Sequence, residues 1–193
     1  MLLKFSKLVL LGVALSGYQL PVNAEECPDN LVQSGVIDAE FGAGAQAVTR
    51  CLRNQGERRS LKVVYQVNQQ CKDSKCTAGY ALGNINNAIK DYEITHGMTQ
   101  GENYEINAVV HGGGWTQIVQ DGATLDNGNM VQNPFQGAVE ALLAKGVKIY
   151  FCQNTARSKG VKLHNMIPGV EFVTSGVTAL ADFQSIGYML VQP

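Results

Sequence analysis

The chain has 193 residues, 45% hydrophobic and 16% charged, with a formal net charge of -1. This is about one domain's worth of chain, with enough apolar content for a real core. The charge balance excludes a nucleic-acid surface, because phosphate binding demands an excess of basic residues.

The first stretch, "MLLKFSKLVLLGVALSGYQLPVNAEE", has a positive n-region in Lys4 and Lys7 and a short apolar run over 8–15. Val22, Asn23 and Ala24 then fit the small-residue pattern before a cleavage site. This predicts a secretory signal peptide over 1–24, cleaved near Ala24, because the apolar run is too short to span a bilayer. No cysteine follows the cut and no twin arginine precedes the apolar run, so general export without a lipid anchor is expected. The mature protein is then expected to be periplasmic or secreted, free of the membrane, with a net charge of about -3 once the two leader lysines are gone.

Residues 25–60 are Gly-rich and polar, with one short helix predicted near 45–54, and read as an N-terminal extension. From residue 61 the pattern changes to that of a packed domain ending at 193. "LKVVYQV" is a β-branched run and reads as a first strand. In "CTAGYALGNINNAIKDYEITHG", Ala78, Leu82, Ile85 and Ile89 fall at helical spacing, with Gly97 past the end. "YEINAVVHGGG" holds a second strand. "NPFQGAVEALLAKG" is a helix with Pro134 at its start and Gly146 at its stop. "VKIYFC" is a third strand, "QNTARSKG" a short helix ending at Gly160, and "GVEFVTSG" a fourth strand. "VTALADFQSIG" and "YMLVQ" close the chain as a helix and a fifth strand. Short apolar strands alternating with helices predict a mainly parallel five-stranded sheet in a three-layer α/β/α sandwich.

All five cysteines, Cys27, Cys51, Cys71, Cys76 and Cys152, lie after the leader. An odd count in an oxidising compartment leaves one thiol unpaired or bound to something external. Cys27 and Cys51 sit at the two ends of the extension, where a bridge would tie down a segment with little core. Cys71 and Cys76 form a C-x4-C pair. As a local disulfide the pair would contribute about 2 kcal/mol, since the loop it closes is short. As a redox pair it would instead exchange with Cys152. Four cysteines allow three pairings, so the connectivity stays open.

Ligands of an open parallel sheet meet the carboxyl ends of its strands. Strand two ends there in His111 and three glycines, and strand three ends in Cys152. A thiol just before a helix faces unpaired N–H groups and the positive end of the helix dipole, which favour the reactive thiolate. Arg157 and Lys159 follow closely. The alternative is an inert cysteine packed at the end of a core strand. His111 reads either as a general acid/base that positions an incoming group or as a residue that only hydrogen-bonds its loop. Gly112 to Gly114 match no phosphate-loop spacing and let backbone approach a ligand or simply turn. Trp115 reads as packing or as the cap of a pocket. His96 and His164 fall in loops and have no assignable role.

Together, "AVVHGGG", "VKIYFCQNTARSKGV" and "MIPGVEFVTSGV" resemble the DsrE/DsrF-like family, with likeness over roughly residues 61–193. The resemblance implies a three-layer α/β/α fold and a homotrimer or homohexamer. It also implies a sulfur carrier, sulfurtransferase-like at most, that holds a persulfide on Cys152. In such a carrier Asn154 or Thr155 would donate further hydrogen bonds to the thiolate, and His111 would position the incoming sulfur. Donor and acceptor proteins or small sulfur compounds would be its partners, and no cofactor is needed. The best-understood relay members are cytoplasmic, and the extension and the Cys71–Cys76 loop depart from their pattern. Fold therefore carries over better than reaction. Two other functions stand beside the relay: a non-catalytic ligand-binding or assembly module of the same fold, and a metal protein using Cys71, Cys76, Cys152 and His111.

Overall fold

The computed structural model describes residues 36–49, 60–69 and 80–193. The signal-peptide reading, most of the extension, and the readings of Cys27, Cys51, Cys71 and Cys76 fall outside them. Of the extension, two short helices are described, α1 (Val36–Phe41) and α2 (Ala45–Val48), the second within the stretch where a helix is expected.

The domain grows from β1 (Leu61–Val67), whose Val63, Val64, Tyr65 and Val67 are all buried. Burial on both sides of one strand is what its near-continuous apolar run requires. The chain continues through α3 (Tyr80–Lys90), β2 (Tyr104–Val110), α4 (Gln136–Ala144) and β3 (Lys148–Cys152). It ends with α5 (Gln153–Lys159), β4 (Glu171–Val173), α6 (Gly176–Ser185) and β5 (Met189–Val191). All five strands are parallel, in the order β4-β3-β2-β1-β5. The fold is therefore the α/β class expected from the alternation of elements.

Alternate residues of each strand feed two cores. On one face Tyr65, Ile106, Ile149 and Phe151 pack with Leu82, Ile85 and Ile89 of α3, Val139 and Leu142 of α4, and Ala156 of α5. On the other, Val64 and Val109 meet Leu180 of α6 and Tyr188, with Tyr150, Phe183 and Leu190 at the edge. Gly146 (φ 83) and Gly160 (φ 71) end α4 and α5 in left-handed conformations, the stops read from the sequence. After α3 the chain underwinds into a π-helical turn, Asp91–Thr95, and after β2 it winds a 3-10 helix, Gly112–Ile118. Neither detail shows in the hydrophobic period.

Candidate functional site

The register brings the candidate residues to one end of the sheet. Val110 pairs with Phe151, and Cys152 pairs with Val173. His111 continues β2 with extended backbone, φ -154 and ψ 178. It is therefore set beside Cys152 at the strand spacing of about 4.8 Å, on the face that α6 covers.

Cys152 is 5% exposed and is the N-cap residue of α5. Its sulfur makes no tight capping bond of the kind a serine or aspartate oxygen makes. Instead it sits among donors from two helix starts: the backbone N–H groups of Thr155, Gly176 and Asn154, and the Thr155 hydroxyl. Burial pushes the thiol up and these donors pull it down. The donors prevail, and the Cys152 thiol titrates below its ordinary value. Thr155 is fixed for this task because its Oγ1 accepts the Gly112 N–H at 3.0 Å, which leaves the hydroxyl proton for sulfur.

Gly176 joins the two candidates. A Cβ there would lie 2.9 Å from His111 Cβ and 3.1 Å from its Cγ, so only glycine lets α6 pass this close to the ring. The Gly176→Ala variant is expected to push His111 aside and draw the Gly176 N–H off the sulfur, at an overpacking cost of about 1–3 kcal/mol. Thermal unfolding reads that cost, and the pH midpoint of Cys152 alkylation should rise with it.

His111 belongs to a chain of carboxamides. Gln192 donates through Nε2 to Gln66 Oε1, and Gln66 Nε2 lies 2.7 Å from His111 Nε2. With its oxygen engaged, Gln66 turns its NH2 to the ring, so His111 Nε2 accepts and the neutral ring carries its proton on Nδ1. Burial lowers the imidazole below its usual range, which keeps it neutral near pH 7. The chain's end is held close by, since Gln69 Nε2 donates to the Pro193 carbonyl at 3.1 Å.

The model of the DsrE/DsrF-like family matches residues 62–193. The chain belongs to the DsrE/DsrF-like family. No curated protein matches it. Among solved structures it is similar to MTH1491 of Methanobacterium thermoautotrophicum, described as a protein of unknown function. That match has 22% identity and a TM-score of 0.54, over 69% of this chain and 100% of the other. It is also similar to the ychN protein of E. coli, with 19% identity and a TM-score of 0.48, over 69% of this chain and 99% of that one. At such identities the likeness to MTH1491 shows the fold alone. The DsrE/DsrF-like family is related in general to sulfur relay.

In this DsrE/DsrF-like domain Cys152 and His111 come together. Asn154 takes part differently from its sequence reading: its backbone N–H faces the sulfur, while its side-chain Oδ1 accepts from Arg157 at 3.1 Å. The side-chain donor is Thr155. Gly176 and Gln66 carry no signal in the sequence beyond a helix-start Ser-Gly pair and a strand glutamine. Gly112 has φ 52, and Gly114 slips past the Val67 carbonyl, so these glycines serve backbone against backbone. Trp115 is half-buried, packs on the main core and also lines a cleft. The metal reading needs Cys71 and Cys76, which lie outside the described residues. Among the described residues no group of three or more His, Cys, Asp or Glu side chains is placed to hold a metal ion. None of the described helices is long and apolar enough to cross a membrane.

Proposed function

We propose that this protein is a sulfur carrier that holds a sulfane sulfur as a persulfide on Cys152. The observation that carries the reading is the donor set around a thiol at the end of a central strand. An inert buried cysteine has no need of three N–H groups and a hydroxyl directed at its sulfur, and burial alone would keep it protonated. Membership of a family related to sulfur relay supports the same chemistry.

The step is a displacement at sulfur. The Cys152 thiolate attacks the outer sulfur of a persulfide R–S–SH, forming an Sγ–S bond. The donor's S–S bond breaks, and its electron pair leaves as R–S⁻. The proton stays on the transferred sulfur, so R–S–SH and Cys–S⁻ become R–S⁻ and Cys–S–SH with no net oxidation. An acceptor thiolate then repeats the attack on the outer sulfur and returns the Cys152 thiolate. The donor N–H groups stabilise that thiolate before the first displacement and after the second. With only 5% of Cys152 exposed, access favours a slim reacting end such as a terminal sulfur over a bulky electrophile. Neutral His111, beside the thiol, positions the incoming sulfur rather than adding a charge.

The test is intact-mass spectrometry of the unreduced protein before and after polysulfide, with the adduct mapped by digestion. Sulfur-mass steps on Cys152 are expected, and their absence from Cys152 overturns the carrier. A pH series checks the cause of reactivity. Alkylation of Cys152 should have its midpoint below that of a free thiol, at about 8.5. The Thr155→Val variant removes a donor to the thiolate, so the pKa rises, less thiolate is present at pH 7, and the rate falls several-fold. An unmoved midpoint would mean the hydroxyl does nothing for the sulfur.

The same reading takes the protein as exported. Its support is the charged n-region, the short apolar run and the small residues before Glu25. Expression in a Gram-negative host should give a periplasmic product whose mass starts at Glu25. Full-length protein in the cytoplasm would overturn this.

A further inference from the structure

One open cleft of about 400 Å³ is not absorbed by the site around Cys152. Its size is within the range of about 300–1,000 Å³ for small-molecule sites. Its walls are the 3-10 helix after His111, the loop that follows, and the last turn of α5, represented by Trp115, Asn127, Asn129, Met130, Gln132 and Lys159.

Two of these walls are also walls of the thiol site. The 3-10 helix and α5 are joined where the Gly112 N–H meets Thr155 Oγ1 at 3.0 Å, and Thr155 is a donor to the sulfur. Trp115 follows Gly112 by three residues, about 6 Å of 3-10 rise. Lys159 follows Thr155 by one turn of α5, about 5–6 Å. Lys159 lies seven residues beyond the N-cap Cys152, about 10 Å along α5, a distance that a ligand as long as an extended tripeptide spans.

The lining has a definite chemistry. Lys159 is the one charged residue among the described residues of the cleft, and it has no ion pair among them. The neighbouring acid, Asp126, is already paired with Lys162 at 3.3 Å. Asn127 Oδ1 accepts the Asn129 N–H at 3.0 Å, which leaves its NH2 group as a donor. Asn129 and Gln132 add further amides beside the apolar surface of Trp115 and Met130. A cation and several amide donors with no carboxylate among them suit a small anion that also has peptide carbonyls and an apolar stem.

We propose that this cleft binds the non-reacting part of a low-molecular-weight thiol or persulfide of carboxylated peptide type, with its carboxylate at Lys159 and its sulfur directed along α5 to Cys152. The proposal rests on the carrier reading for its purpose, but its test is independent of sulfur transfer.

Trp115 is the only tryptophan in the chain, so its fluorescence reports the cleft directly. The probe is S-methylglutathione, which has the carboxylates and peptide groups but no transferable sulfur. Titration of the Cys152→Ser protein is expected to give a saturable change with half-saturation at or below about 1 mM. Lys159→Glu should weaken it by about tenfold, as should Asn129→Asp, since each sets a negative charge against the carboxylate. No saturable response, or one that neither variant weakens, overturns the cleft as the site. Loading of Cys152 by inorganic polysulfide with no Trp115 response defeats this proposal and leaves the carrier standing. A Trp115 response that both variants weaken, with no sulfur ever appearing on Cys152, upholds the cleft and defeats the carrier.

Discussion

Cys152→Ser is expected to abolish sulfane loading at this position while leaving the fold intact. Serine is close in size to cysteine and is a better N-cap residue, so the N–H groups of Asn154, Thr155 and Gly176 keep an acceptor. Stability should change by no more than about 1 kcal/mol in either direction. The chemistry is lost because a hydroxyl neither ionises near neutral pH nor displaces sulfur from a persulfide. Exposed to polysulfide, the wild-type protein should gain sulfur on Cys152, and the variant should show none on the peptide that spans the substituted position. Equal sulfur uptake by both proteins would move the carrier role to another cysteine. A variant that fails to fold would show in its melting curve. Cys152→Ala then separates the two effects, since it removes the acceptor as well as the thiol.

The largest loss of stability is expected at Gly114. A Cβ there would lie 2.4 Å from the Val67 carbonyl oxygen and 2.9 Å from its carbon. Both are backbone atoms at the end of β1, where Val67 pairs with Val110 of β2, and cannot swing away as a side chain does. Gly114→Ala must therefore shift the loop, which begins at His111 and is anchored by the His111 N–H on the Val67 carbonyl at 3.0 Å. The expected cost is about 3 kcal/mol. At roughly 2–4 °C per kcal/mol for a chain of this size, Tm falls by about 6–12 °C. His111 moves with the loop, so alkylation of Cys152 should change as well. Gly112→Ala is the control: its nearest outside atom is 3.8 Å away, and the cost is only that of holding alanine at φ 52, about 1–2 kcal/mol. Equal melting temperatures for the two variants would show that the close approach at Gly114 does not matter.

The elements of the fold were legible because their signals are local. "LKVVYQV" and "KIYFC" are rich in β-branched and aromatic residues, which favour strands. Gly146 and Gly160 stand where left-handed caps fall. The position of Cys152 was legible too, since a strand end followed by a helix is a sequence-level feature. Its surroundings were not. Gly176 reaches the sulfur from a helix 24 residues later in the chain, and its need to be glycine comes from the His111 ring, which only the register brings there. Gln66 and Gln192 meet only because β5 lies beside β1. The choice between Asn154 and Thr155 as side-chain donor depended on Gly112, which no helical or strand period connects to α5. The cleft likewise arises from a loop with no strong pattern packed against the end of a short helix.

The order of strands has a kinetic consequence for the thiol. β1 to β4 add to one another stepwise across the sheet, but β5 returns to the far edge and pairs Val63 with Met189. α6, which brings Gly176 to the sulfur, belongs to that last connection, the one that crosses the whole sheet to pair with β1. Contacts so distant in sequence carry the greatest loop-closure cost and form late. A chain stalled before this closure would present Cys152 with the α5 donors but without the α6 helix over it. The thiol would be most open to wrong pairing in that interval, so the speed at which the C-terminal crossover docks would set how much protein emerges with Cys152 still free.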